Sequence, residues 1–226
     1  MEDWILAERS DKHAVFDQLA AIAKAVGSGR RLELVELLAQ GEHSVETLSR
    51  MTGMALTLVS AHLQTLKRTG LAATRKQGTT VFYRLAGEDV AQLYLAVKRV
   101  GLAHSPGLRH ALAEYRAGGP REACPVRTID PSAVTEAMLV LDVRPRIEYE
   151  AGHFPGALGI PLADLQDRAG ELDRERQVVV YCRGEFCRLA RDAAQWLCGQ
   201  GFDAVAMDEG VIEWRAAGPV ALDVIA

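Results

Sequence analysis

The chain has 226 residues, is 49% hydrophobic, and contains four cysteines, Cys124, Cys182, Cys187 and Cys198. That length suits two ordinary domains better than one. No apolar run approaches a membrane span, and the acidic start Glu2-Asp3 is unlike a basic secretory leader, so the sequence predicts a cytoplasmic protein whose few, irregularly spaced thiols are reduced at rest rather than a disulfide framework. The net charge of -4 is uneven: residues 1–118 carry 15 Lys/Arg against 12 Asp/Glu, and residues 119–226 carry 11 against 18. A mildly basic front joined to an acidic back suits a nucleic-acid-facing module attached to one that does not touch DNA.

In chain order, Val15, Phe16, Leu19, Ile22 and Val26 recur at helical spacing over His13–Val26, and Gly27-Ser28-Gly29 stops that helix. A second helix is expected over Arg31–Gln40. Ser44 then has the chemistry of an N-cap for a short helix closed by Gly53. The next helix starts near Ala55, with Leu58, Leu63 and Leu66 as expected core contacts, and ends at Thr69-Gly70, where glycine can take the left-handed cap. Alternating patterns at 71–76 and 79–85 flank Gln77-Gly78 and predict a hairpin with a basic tip. One long helix from Asp89 to about Arg116 runs until Gly118-Gly119-Pro120. We therefore expect a first domain over 1–118, a linker over 119–125 and a second domain over 126–226.

The second domain alternates strand and helix. Val126–Ile129, Leu139–Leu141, Gln177–Tyr181 and Ala204–Met207 read as strands, with helices from Pro131, over Leu189–Gln200 and near Val211–Ala217. The apolar runs indicate strands buried on both faces, hence an α/β fold with a mostly parallel sheet.

Helix, turn, second helix and basic hairpin form the pattern of a winged helix-turn-helix. The reading helix would present Thr57, Ser60, Ala61 and Gln64 to base edges or phosphates, with Lys67, Arg68, Arg75, Lys76 and Arg84 on phosphates. The segments Leu32–Leu38, Ser44–Leu48, Val59-Ser60-Ala61-His62-Leu63-Gln64-Thr65-Leu66 and Gly78–Leu85 resemble the ArsR family of repressors. The resemblance implies a homodimer paired through its first and last helices, bound to double-stranded DNA at a palindromic operator. Metal-sensing members carry a cysteine pair where this chain reads Ser44-Val45-Glu46-Thr47-Leu48, and no cysteine precedes Cys124, so no metal site is expected. His43 is expected at the surface and His62 in packing.

Cys182 follows a buried strand and opens the run Cys182-Arg183-Gly184-Glu185-Phe186-Cys187-Arg188 before a helix. A cysteine there faces several backbone N–H groups, which would lower its pKa from about 8.5 toward neutrality and hold the anionic end of a persulfide. Together with Val140-Leu141-Asp142-Val143-Arg144-Pro145, Glu148-Tyr149-x-x-Gly152-His153-Phe154-Pro155-Gly156-Ala157 and Asp208–Trp214, this loop resembles the single-domain rhodanese family. The resemblance implies that Cys182 accepts sulfane sulfur as a persulfide, with Asp142, Arg144 and Glu148 supporting the loop.

Glu185 sets a carboxylate where thiosulfate would approach, which favours a small persulfide or polysulfide as donor, and no cofactor is expected. Cys187 reads either as a resolving thiol or as a loop thiol without redox role. Cys124 reads as an inert linker thiol or a bridging partner, and Cys198 as core. Cys182-x5-Arg188 also matches the spacing of cysteine-dependent phosphatases and arsenate reductases, in which the arginine binds an oxyanion. The readings that follow are a repressor whose sulfur state alters DNA affinity, a sulfurtransferase tethered to DNA, an oxyanion-handling enzyme of the Cys-x5-Arg kind, and a constitutive repressor with a silent rear domain.

Overall fold

A computed structural model describes residues 2–117, 126–218 and 220–225, with side chains described from Lys12 onward. The chain divides into two compact units, one comprising residues up to Leu38 together with Glu42–Val90, the other Ala39–Gly41 with the chain from Ala91 onward. The expected linker at 119–125 and Cys124 lie outside the described residues.

In the first unit, α1 (Glu2–Val26) and α2 (Gly29–Leu38) precede a two-residue strand, β1 (His43–Ser44). Ser44 caps α3 (Val45–Thr52), its hydroxyl accepting the Thr47 N–H at 3.2 Å, and Gly53 closes that helix at φ 67°. The helix α4 (Leu56–Arg68) follows after three residues. Leu34, Leu48, Val59, Leu63 and Leu66 have no exposed surface and form the core between α2, α3 and α4. The hairpin of β2 (Ala72–Gln77) and β3 (Thr80–Leu85) pairs Gln77 with Thr80 across Gly78, whose φ of 59° is the positive value a tight hairpin turn requires. β1 adds to the other edge of β3, in the order β1-β3-β2.

Three local expectations change. His43 is buried, because β1 pairs it with Tyr83 and so draws it under the wing instead of leaving it on a loop. Leu58 is 44% exposed, since Val59 takes the inward position one residue on. The single helix expected from Asp89 to Arg116 is two, α5 (Glu88–His104) and α6 (Pro106–Ala117). Pro106 has no N–H to continue the ladder, and Ser105 Oγ accepts the Leu108 N–H at 3.2 Å to start the new helix.

The second unit holds β4 (Thr128–Ile129), β5 (Leu139–Asp142), α7 (Arg146–Glu150), β6 (Leu158–Gly159), α8 (Leu165–Arg168), β7 (Val178–Tyr181), α9 (Leu189–Gly199), β8 (Ala204–Met207) and α10 (Val211–Ala217). All four pairings in the order β4-β8-β7-β5-β6 are parallel. The helix expected from Pro131 is a single 3-10 turn, Pro131–Ala133, capped by Asp130. Every residue of β7 and β8 is buried. Val178 and Val180 pack on one face with Leu141 and α9, while Val179 and Tyr181 pack on the other with Val140, Val205 and Trp214. Burial on both faces is why these strands read as continuous apolar runs.

Candidate functional site at the end of the central strand

β7 delivers Cys182 from the middle of the parallel sheet to its carboxyl edge, the usual location of sites in open α/β sheets. The chain turns at once, with Cys187 N–H donating to Gly184 O at 2.9 Å, and α9 begins at Leu189. Two glycines permit the turn. A Cβ on Gly184 would lie 2.7 Å from Glu213 Oε2 and 2.8 Å from Ile212 Cγ2, and one on Gly210 would overlap the Cys182 carbonyl.

Cys182 is 2% exposed, whereas Cys187 is partly exposed. The Cys182 thiol donates toward the Cys187 carbonyl at 3.5 Å and also hydrogen-bonds the Cys187 sulfur. Backbone N–H groups of Ala190 and Gly184 face the first sulfur, and those of Leu189 and Arg183 the second. Four backbone N–H groups thus face the pair, divided between the two sulfurs.

The ionisation differs from the sequence expectation. Burial pushes the Cys182 thiol well above its ordinary range, and the neighbouring Cys187 adds to the rise, more than the two N–H groups offset. Cys187 is the depressed thiol, brought down to about 6 chiefly by the hydrogen bond from Cys182, with the Arg183 guanidinium and two backbone N–H groups assisting against burial. Burial therefore favours the neutral form at the inner thiol, and the outer thiol ionises more readily.

Around the loop stand two buried ion pairs. Asp142 at the end of β5 accepts the Arg144 backbone N–H at 2.9 Å and its guanidinium at 2.6 Å, both side chains having no exposure. Arg144 also donates to Gly152 O at 2.7 Å, and Tyr181 OH donates to Asp142 Oδ2 at 2.6 Å while accepting the Phe154 N–H. Glu148 on α7 takes Arg183 in a two-pronged pair at 2.9 and 2.7 Å, which fixes the loop's second residue. The hydrogen bonds of Asp142 and Arg144 go to each other, to backbone, and to the side chains of Tyr181 and Gln40 rather than to either sulfur.

Glu185 is drawn into a charge cluster that the motif did not reveal. Lys98 on α5 lies 2.6 Å from Glu213 Oε1 and 3.1 Å from Glu185 Oε2, and Arg116 on α6 reaches Glu185 at 3.3 Å. Glu213 also accepts the N–H of Gly210 at 2.9 Å and of Glu185 at 3.4 Å. The Lys98 ammonium sits 5.6 Å from the Phe186 ring centre. The sequence offered one faint signal for this role, a glutamate three residues after Gly210 at a helix start. Nothing in it marked Lys98 or Arg116. Arg188 pairs with Asp192 at 3.1 Å and covers the Tyr115 ring, so its guanidinium is engaged along α9 and not held for an oxyanion in the loop.

On the first unit, Thr57 and Ala61 are exposed on α4 and Ser60 is half-buried. Gln64 is exposed but donates to Tyr83 OH at 2.9 Å. Lys67 and Arg68 are exposed at the end of α4, and Lys76 at the wing tip. Arg75 and Arg84 share Glu42, at 2.7 and 3.7 Å. All four side chains expected to face bases thus lie on α4, but Gln64 spends its amide on the wing. Among the described residues no cluster of His, Cys, Asp or Glu could hold a metal ion, and no helix is long and apolar enough to cross a membrane.

Comparison with known proteins agrees with this architecture. The profile of the bacterial regulatory protein arsR family matches residues 28–74, and that of the rhodanese-like domain matches 130–217. The HTH-type transcriptional regulator Rv0324 of Mycobacterium tuberculosis is 44% identical over 214 residues, 94% of each chain. The thiosulfate sulfurtransferase GlpE of Shewanella oneidensis is 34% identical over 87 residues, 37% of this chain and 84% of that protein. Among solved structures, the homodimeric winged helix-turn-helix DNA-binding domain Mb0332 of Mycobacterium bovis is 49% identical, covering 42% of this chain and 89% of that one, with a TM-score of 0.40. With both modules present and near full-length identity of this degree, the chain belongs to the family of HTH-type transcriptional regulators that join an ArsR-type DNA-binding domain to a rhodanese-like domain.

Proposed function

We propose that this regulator acts in the cytoplasm as a homodimeric repressor at a palindromic operator, and that its rhodanese-like domain takes sulfane sulfur into the Cys182–Cys187 loop so that sulfur loading changes DNA affinity. The observation that carries this reading is the pair of hydrogen-bonded thiols lodged among four backbone N–H groups at a strand-to-helix junction. Such a cup stabilises a thiolate and equally the anionic terminal sulfur of a persulfide. Cys182 is the residue on which the sulfur comes to rest, because it lies deepest and is shielded from competing thiols.

The DNA-facing set is Thr57, Ser60 and Ala61 for base edges and groove contact, with Lys67, Arg68 and Lys76 on phosphates. Arg75 and Arg84 must leave Glu42 to reach a phosphate, so their contribution is smaller. A low-molecular-weight persulfide or polysulfide is the proposed donor, although Glu185, paired with Lys98 and Arg116, does not by itself turn dianionic thiosulfate away. The engagement of Arg188 with Asp192 speaks against the oxyanion chemistry suggested by the Cys-x5-Arg spacing.

The test titrates operator DNA with the wild-type chain before and after polysulfide treatment, while sulfur transfer to cyanide is measured in parallel. An affinity change of about fivefold or more, the lower end of ordinary coupling between sites, is expected and should vanish in Cys182→Ala. Unchanged affinity alongside rapid turnover would make the chain a tethered sulfurtransferase instead. No change and no transfer would leave a constitutive repressor.

A further inference from the structure

We propose that Gln40 is the positioning residue that carries the sulfur state of Cys182 into the DNA-reading motif, a role that rests on the reading that the loop takes up sulfane sulfur. Neither the run around Cys182 nor the helix-turn-helix pattern marks this glutamine. Its placement in the fold does.

The turn Ala39–Gly41 belongs to the second unit, although α2 before it and β1 after it belong to the first. Within the second unit Gln40 has no exposed surface. Its Nε2 donates at 3.4 Å to the carbonyl of Arg183, the residue directly after Cys182, and its Oε1 accepts a hydrogen bond from Arg144 Nη1 at 3.1 Å. Gly41 seats the turn closely, since a Cβ there would lie 2.7 Å from Ala151 Cβ at the end of α7, the helix whose Glu148 holds Arg183. One amide thus joins a fixed anchor, Arg144 locked on Asp142, to the backbone of the sulfur loop.

Loading strains that backbone. The Cys182 thiol gives its proton to water and attacks the outer sulfur of a hydropersulfide, R–S–SH. A sulfur–sulfur bond forms to Cys182, and the donor's own breaks with its electron pair leaving on RS⁻. The product, Cys182–S–SH, carries an extra atom about 2 Å beyond the original sulfur. Cys182 is 2% exposed in a packed cluster, where an added atom has to displace its neighbours. The start of α10 leaves the loop no room on its side, because a Cβ on Gly210 would lie 2.6 Å from both the Arg183 carbonyl carbon and the Gly184 nitrogen. The Arg183 carbonyl also accepts the Ile212 N–H at 3.1 Å, so the longer bond from Gln40 is the one that yields. A buried amide deprived of an acceptor is costly to leave in place, and the turn shifts with it.

Two residues on, Glu42 holds Arg75 and Arg84 of the wing, at 2.7 and 3.7 Å, and Ser44 caps α3. A shift at Gln40 therefore reaches two arginines assigned to phosphate, and the first helix of the reading motif, along the chain itself through Gly41 and Glu42.

The experiment loads the full-length chain with glutathione hydropersulfide, measures the added sulfur on Cys182 by mass spectrometry, and follows hydrogen exchange over residues 39–47 with and without it. In the wild type those amides are expected to exchange faster after loading, and operator affinity to change by about fivefold or more. Gln40→Glu keeps the side-chain length and the acceptor for Arg144 but cannot donate to the Arg183 carbonyl. At equal loading it should lose the gain in exchange, and its operator affinity should respond by less than about twofold. Gln40→Met, which removes both bonds while filling the space, should behave likewise. A Gln40→Glu chain that responds as the wild type does in both measurements overturns the proposal. So does a loaded wild type whose exchange over 39–47 is unchanged, whatever the variants do. If that exchange rises while operator affinity stays constant, the regulatory reading falls and the route through Gln40 stands. If affinity changes without it, the regulatory reading stands and this route falls.

Discussion

At the scale of single residues, the two cysteines lie in unequal environments. The inner thiol is penalised by burial, and the outer one gains a donor from its neighbour and a nearby guanidinium. The sign of the pH dependence follows from the depressed value of about 6 for Cys187. Its anion is present above that pH and lost below it, so the initial rate of Cys187 alkylation should rise through a midpoint near 6 and then level off. Replacing Cys182 by alanine removes the largest cause of the depression, and the midpoint should move toward the ordinary thiol value of about 8.5. Stopped-flow alkylation across pH 5 to about 9 tests this. A midpoint that stays near 6 in Cys182→Ala would show that Arg183 and the backbone, not the inner thiol, hold the charge.

At the scale of elements, the loop is clamped from several sides. α7 holds Arg183 through Glu148, α10 holds the Glu185 backbone through Glu213, and α5 contributes the Lys98 cation between Glu185 and Glu213. Removing one member of such a partly buried group leaves like charges facing each other, which is costlier than removing the group together. Lys98→Met is therefore expected to lose about 3 kcal/mol in chemical denaturation. Adding Glu213→Gln should restore a large part of that loss. Additive effects in the double variant would mean that the cluster is solvated and energetically idle. The same clamps explain why Gly184 and Gly210 are needed: the loop and the start of α10 approach too closely for a Cβ.

At the scale of the whole molecule, one surface of the first unit is unusually apolar. Val15, Phe16 and Leu19 on α1 are 68%, 56% and 59% exposed, and they recur at the helical spacing that made the segment legible as an amphipathic helix. A homodimer that pairs through its first helices would cover them. Leu19→Glu is accordingly expected to give a monomer in analytical ultracentrifugation and to lose operator binding, because two half-sites then cannot be engaged together. A Leu19→Glu chain that stays dimeric would move the interface elsewhere.

Much of this was open to inspection in the linear chain. The buried strands announced themselves as unbroken runs such as Val178-Val179-Val180-Tyr181, because a strand covered on both faces has no polar positions. Ser44, Gly53 and Gly78 marked a cap, a helix end and a turn, since each is demanded by a local backbone conformation. The run around Cys182 was legible as a turn between strand and helix for the same reason: a tight turn after a strand is specified by neighbours in sequence. What the chain alone could not settle were quantities set by distant partners. His43 is buried by a strand forty residues later, and Lys98 meets Glu185 only through packing. Which of two adjacent thiols ionises more readily depends on burial, and burial is a property of the assembled fold.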